Sequence, residues 1–175
     1  LNKKIYSISS LLSTNISYTR RLRKYLSGFN LDKSSRLINY FKWIERDDLR
    51  RLYSKDFLAE IDNLNDEVPM QEFLNKLPLK ADNIEKLLNL EQRFFLCDHN
   101  LNYTDKMSMS AGIEVRVPFL DKDLVNFASK IPSKYKQKGK QGKWILKKMM
   151  ENHLPKDIIY RPKSGFGVPL RRWLK

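Results

Sequence analysis

Apolar residues spaced three and four apart recur along most of this chain, and that spacing gathers them on one stripe of an α-helix. Leu37, Ile38, Phe41 and Ile44 follow Asp32, a good capping residue, and together predict one helix. A second short helix is expected next. Ser54 opens a further segment with Phe57, Leu58 and Ile61 on one side, and VPMQEFLNKL repeats the pattern up to Pro78. The longest helical segment is predicted from about Ala81 to Met109, with Ile84, Leu87, Leu88, Phe94, Phe95 and Leu96 inward. Gly112 ends it, because glycine tolerates the left-handed backbone that closes a helix.

The pattern changes at "IEVRVPFLD", residues 113 to 121, where apolar and charged residues alternate as in a strand. The stretch is short, and Pro118 removes a backbone donor where a ladder would need one, so an extended loop is expected. Asp121 is the expected cap of a helix that stops before Pro132. Another helix is predicted over QGKWILKKMMENH, bringing Trp144, Leu146 and Met150 near one another. A short turn after Pro155 then leads into the loop RPKSGFGVPLRRW, with Pro169 at the first position of a last helix.

Composition makes a folded chain the expectation: 41% apolar and 11% aromatic residues in 175 are enough to bury a sizeable core. The formal net charge of +14 points toward anionic partners without choosing among them. From Lys134 onward there are thirteen basic residues against two acids, Glu151 and Asp157. Tyr135, Trp144, Tyr160 and Trp173 interleave with that charge, as a surface for stacking single-stranded bases would require. Their helical spacing explains them as core without a ligand, so nucleic acid is not the expected partner. Cys97 stands alone, which excludes an intrachain disulfide and, with only His99 and His153, a Cys/His zinc cluster; a reducing, cytoplasmic setting is expected. No apolar run approaches the roughly eighteen residues that span a bilayer, so no membrane partner is expected. The start lacks a methionine, as expected of a piece of a longer polypeptide or of a processed terminus.

H-E-x-x-H, G-x-S-x-G and Walker lysine motifs are all missing, and none of the six glycines adjoins another. Two longer stretches carry more information: "DKMSMSAGIEVRVPFLDKDLVNFASKIPSKYK", from Asp105, and "GKWILKKMMENHLPKDIIYRPKSGFGVPLRRWL", ending at Leu174. In order and separation they resemble the C-terminal part of the glutamine-dependent asparagine synthetase family, with its [S/T]-M-x(4)-E-x-R-x-P-F-L-D core and K-x-G-F-G-V-P-x-x-x-W loop. The earlier "RRLRKYLSGFNLDKSSRLINYFKWIERDDLRRLYSKD" is similar to that family's helical insert.

The resemblance implies a mainly α chain: the helical C-terminal portion of an α/β synthetase domain of the ATP pyrophosphatase, or adenine-nucleotide α-hydrolase-like, type. It would be a single partial domain over 1–175, with a helical region at 1–111 and a loop-and-helix region with the motifs at 112–175. In the family, ATP and Mg2+ serve to adenylate a carboxylate, and ammonia released from glutamine displaces AMP. The S-G-G-x-D-S phosphate loop, the G-[ED]-G-x-D-E stretch and the glutaminase domain with its terminal cysteine nucleophile lie upstream, and neither stretch occurs in this sequence. Cys97 is therefore not that nucleophile. The missing synthetase and glutaminase portions and a small carboxylate are the implied partners, and the 175 residues alone should be inactive.

Site residues follow motif by motif. The resemblance places Lys163 near the phosphates of ATP and the acyl-adenylate, with Gly165 and Gly167 letting backbone approach closely. Glu114 and Arg116 lie in the extended loop, where an ion pair pinning the loop and direct participation are both open. Asp105 and Lys106 are candidates for a polar cluster near the nucleotide, Asp121 reads as a cap, and Ser108 as packing. Relatives that amidate sugar acids or close β-lactam rings share these motifs, so the acyl substrate stays open. Two other classes remain: a non-catalytic helical module with a basic face for nucleic acid or an acidic protein, and a structural remnant of a truncated reading frame.

Overall fold

A computed structural model describes residues 19, 22, 25–26, 28–44, 46–61, 63–162 and 173. The chain separates into two compact units, Leu1–Arg116 and Val117–Lys175. In the first unit α1 (Lys33–Asn39), α2 (Arg46–Arg50), α3 (Lys55–Ile61), α4 (Val68–Lys76) and α5 (Asn83–Leu90) lead into a π-helical segment, Glu91–Leu101, and α6 (Asn102–Ser110). In the second, a 3-10 turn at Pro118–Leu120 precedes α7 (Lys122–Lys130), α8 (Ser133–Lys136), the strands β1 (Gln137–Lys138) and β2 (Gln141–Gly142), α9 (Trp144–Met150) and α10 (Lys156–Ile159).

Helix α1 starts where the sequence said it would. The Asp32 carboxylate accepts hydrogen bonds from the Ser34 and Ser35 amides at 2.8 and 3.1 Å, satisfying donors that the first helical turn leaves over. The Ser35 side chain first, and then the amides, hold its carboxyl below the ordinary value. Arg36 ties the preceding turn to the helix through the carbonyls of Gly28, Phe29 and Leu31. The helix ends at Asn39, so Phe41 and Ile44 fall beyond it, contrary to the expectation from spacing. Phe41 nevertheless packs against the core, while Ile44 is exposed.

That core is small. Leu37, Ile38, Leu74 and Leu90 are buried where α1, α4 and α5 pack together, and Met70, Phe73, Leu77, Leu87 and Phe94 close around them. Phe73 meets Phe94 edge to face at 5.7 Å, a favourable arrangement for two ring quadrupoles. Asp82 and Glu85 form a reciprocal capping box at the start of α5, with each side chain accepting from the other residue's amide.

The long segment is helical from Asn83 to Ser110, as predicted, but its middle is wound more loosely. In a π-helix bonds close from i to i+5, and residues five apart come onto one side. Arg93 thus reaches Asp98 at 3.2 Å. Phe95 stacks on His99 at 5.1 Å, and Trp43 meets both rings edge-on. Apolar spacing does not report this change of winding, and the inward list also differs within α5, before the π-helical segment begins. Leu88 is exposed, whereas Leu90, absent from that list, is fully buried.

In the second unit, residues 141–153 do not form one helix. Gln141 and Gly142 instead pair with Gln137 and Lys138 as an antiparallel hairpin, which turns at Gly139 with φ +58°. Lys143 follows at φ 56°, a left-handed conformation that separates β2 from α9 and delays the helix to Trp144. The mainly α expectation holds, with this two-stranded hairpin as the sheet among the described residues.

Candidate functional site

Two segments hold the motif residues. The first begins at the end of α6, where the Gly112 amide bonds the Met109 carbonyl and the Ile113 amide bonds the Ser108 carbonyl, both by backbone geometry. This is a Schellman closure, and Gly112 sits at φ +67° in the position that needs a left-handed residue. The turn launches residues 113–117 as an extended arm, in agreement with the sequence. Along extended backbone, residues two apart share a face. Glu114 and Arg116 accordingly pair at 2.6 Å while remaining 66% and 81% exposed, which leaves the pair in water. An ion pair so exposed contributes at most about 1 kcal/mol. Ile113, Val115 and Val117, at the alternate positions, are exposed as well.

Asp105 and Lys106 are exposed on α6. Ser108 is half-buried and donates its hydroxyl to the Asp105 carbonyl at 3.1 Å, a packing and turn role in keeping with its expected reading. Asp121 caps α7, its carboxylate accepting from the Asp123 and Leu124 amides at 3.1 and 3.0 Å.

The second segment is the base of the RPKSGFGVP loop. Lys163, Gly165 and Gly167 lie outside the described residues, as does Pro169, but the residues that lead into the loop do not. Glu151, just past α9, takes a hydrogen bond from Lys148 on one carboxylate oxygen at 2.7 Å. On the other it takes one from the Tyr160 hydroxyl at 2.6 Å. The Lys148 and Tyr160 bonds hold the Glu151 carboxyl below its ordinary value. Accepting by Glu151 in turn raises both Lys148 and the Tyr160 phenol, the Gln141 side chain partly offsetting the latter. Lys147 lies over the Tyr160 ring at 5.4 Å, a cation–π contact.

Sequence reasoning passed over Glu151 and Tyr160, though a signal was present. Glu151 is one of two acids among thirteen bases in this region, and a lone carboxylate in such surroundings has cationic neighbours to bind. The aromatics there are also not the core residues that their spacing suggested. Tyr135 and Tyr160 are exposed, and Lys134, Lys138 and Lys147 cover the rings of Tyr135, Trp144 and Tyr160. Tyr135 and Trp144 stack on each other at 6.1 Å.

An open groove of about 400 Å3 lies among α2, α3 and α4, with Leu49, Tyr53, Leu58 and Ile61 along it and Arg46 and Arg50 at its edge. None of the motif residues lines it. Among the described residues no group of three His, Cys, Asp or Glu side chains is placed to hold a metal ion. No helix among them is long and apolar enough to cross a membrane.

An arm leaving a Schellman turn and a loop base held by a Tyr–Glu–Lys cluster are the settings of two motifs of one ligase family. The chain belongs to that family: the asparagine synthase model matches residues 9–175. It is 48% identical over 71 residues to asparagine synthetase [glutamine-hydrolyzing] 1 of Bacillus subtilis, covering 41% of this chain and 11% of that protein. A putative asparagine synthetase [glutamine-hydrolyzing] of Mycobacterium tuberculosis is 33% identical over 94 residues, 54% of this chain and 14% of the relative. The nodule asparagine synthetase of Pisum sativum is 40% identical over 71 residues, 36% of this chain and 12% of the relative. The matched stretches thus span about a tenth to a seventh of these relatives' lengths. No solved structure matches the chain.

Proposed function

We propose that this chain forms the C-terminal wall of an ATP-dependent, glutamine-hydrolysing amide-forming site. In the reaction a carboxylate oxygen attacks the α-phosphate of ATP and pyrophosphate leaves. Ammonia then attacks the acyl-adenylate carbonyl and AMP leaves. The observation that carries this reading is the family match from residue 9 to residue 175, which takes in both motifs. The role of Lys163 is electrostatic: a compact ammonium near the phosphates offsets charge that grows on the leaving pyrophosphate. Glu114 and Arg116 contribute charge from the arm, and Asp105 and Lys106 contribute from α6 behind it.

ATP and Mg2+ need more than this chain offers. Backbone donors of a phosphate loop hold the leaving group in such chemistry, and the S-G-G-x-D-S sequence is not among these residues. The metal would be held by the ATP phosphates and by carboxylates upstream. The 175 residues by themselves are inactive on this reading, and they work in the cytoplasm with the rest of the synthetase and its glutaminase. The alternative, a basic face that stacks single-stranded bases, is disfavoured by the rings of Tyr135, Trp144 and Tyr160, which already lie under lysines.

The test is ATP–pyrophosphate exchange by the full-length protein carrying Lys163→Ala. A loss of about a hundredfold or more, with the fold intact by circular dichroism, is expected from removing one such group. Exchange at the unsubstituted rate would remove Lys163 from the site.

A further inference from the structure

We propose that the π-helical segment Glu91–Leu101 sets the rotational phase of α6 and of the arm beyond it, with Arg93, Asp98 and Trp43 as its positioning residues; what this does for the reaction rests on the function proposed above. Burial along the segment steps by five. Phe95 and Leu96 are half-buried, Cys97, Asp98 and His99 are exposed, and Asn100 and Leu101 are half-buried again. In an α-helix residues five apart lie about 140° from one another around the axis, whereas bonds from i to i+5 bring them together. Before the segment, α5 is fixed by the burial of Leu90 in the core. After it, α6 buries none of its residues, so α6 takes its direction from the segment. Each residue turns the chain by a different angle in the two windings, and the difference accumulates over eleven residues. The arm inherits it, because the Schellman turn at Gly112 joins Glu114 and Arg116 to the end of α6.

An uncommon winding persists where surrounding contacts fix it. The Arg93 guanidinium donates to both Asp98 carboxylate oxygens, at 3.2 and 3.3 Å. That pair is five residues apart, so the π winding allows it and an α winding separates it, turning Leu96 and Cys97 toward Arg93 instead. Trp43, in the link between α1 and α2, supplies the second restraint. Its ring meets Phe95 edge-on at 5.9 Å and His99 at 5.1 Å, and those two rings stack on each other at 5.1 Å. The Phe95–His99 stack is four residues apart and suits an α-helix as well. Trp43 is what ties that stack to the chain leaving α1, a helix of the core.

In the full-length protein, amide hydrogen exchange over residues 91–110, followed by mass spectrometry, reads the winding without any need for activity. Arg93→Glu should speed it about two- to fivefold, the range set by an exposed ion pair. Trp43→Ala, which removes two ring contacts, should speed it about tenfold, with α7 in the other unit unchanged. Swapping the charges, Arg93→Asp with Asp98→Arg, should restore protection to within about twofold, since the two positions meet only if the segment keeps its π winding. The kcat of ATP–pyrophosphate exchange should follow protection. It should fall several-fold in Trp43→Ala and Arg93→Glu and recover on swapping, with KM for ATP within about twofold throughout, because misplacement of a remote group acts on the oriented complex. Arg93 and Asp98 are both more than half exposed, so their variants keep the fold and decide the matter should Trp43→Ala misfold. Unchanged protection in Arg93→Glu, or no recovery on swapping, would overturn the proposal. Protection that changes while kcat does not would overturn the role of the winding in the reaction. A full-length protein with no ATP–pyrophosphate exchange of its own would fail the function proposed above, while protection over residues 91–110 still decides the winding.

Discussion

Asp32 shows how one side chain sets both a boundary and a pH response. Its carboxyl sits below the ordinary value of 3.8, chiefly through Ser35. A group whose folded value is depressed stabilises the fold above its unfolded value and loses that contribution as pH falls through the folded one. Asp32→Ala should cost about 1 kcal/mol at neutral pH in urea unfolding of the first unit. Asp32→Asn keeps a capping oxygen, so it should cost less and should flatten the loss of stability below about pH 4. Gly112 is the complementary case at the far end of the same unit. A Cβ there would meet nothing within 4 Å, so the barrier to substitution is the backbone at φ +67° rather than space. Gly112→Ala should therefore destabilise by about 1 kcal/mol, and Gly112→Asn by less, since asparagine tolerates that conformation; equal costs for the two would contradict the Schellman reading.

At the scale of elements, the boundaries that rest on local chemistry were legible in the sequence, and those that rest on winding or tertiary pairing were not. Asp32, Asp121 and Gly112 announce helix ends because each satisfies or frees particular backbone groups next to it. The π-helical winding of Glu91–Leu101 has no such local mark, and within α5 burial falls on Leu90, in line with Leu87 and Phe94, rather than on Leu88. Gln141 and Gly142, the second strand of the hairpin, fall within the helix that the spacing predicts, because two residues per strand are too few to show alternation. Of the candidate site, the arm and its charged pair were legible, whereas the Glu151–Tyr160 link joins residues nine apart across a turn that no spacing rule reports. The burial of Leu90 makes its own test. Leu90→Ala empties the most enclosed position of a core with few buried residues and should cost about 2–5 kcal/mol in the first unit. Leu88→Ala, on the exposed side, should cost well under half as much; the reverse order would mean that Leu88, not Leu90, faces the core.

For the whole molecule, the distribution of charge decides what the basic region can attract. Thirteen bases against two acids from Lys134 onward create a field that favours any polyanion, but the field falls off over about 10 Å at 0.1 M salt. Affinity that survives higher salt needs contacts beyond charge, and for single strands those contacts are bases stacked on open aromatic faces. Here Lys134, Lys138 and Lys147 each cover one face of Tyr135, Trp144 and Tyr160, and Tyr135 and Trp144 stack on each other, so few ring faces are left for a base. A labelled single-stranded oligonucleotide should then bind the 175-residue chain only at low salt, its affinity falling steeply to about 200 mM as counterions compete for the lysines. Fluorescence anisotropy across that range measures the slope. On the function proposed above, ATP in the full-length protein should behave differently, because a phosphate loop and oriented donors would add contacts that salt does not screen, and its KM should rise only a few-fold over the same range. Oligonucleotide binding that persists above about 200 mM would mean that the rings do open to bases, and would return the basic face to nucleic acid.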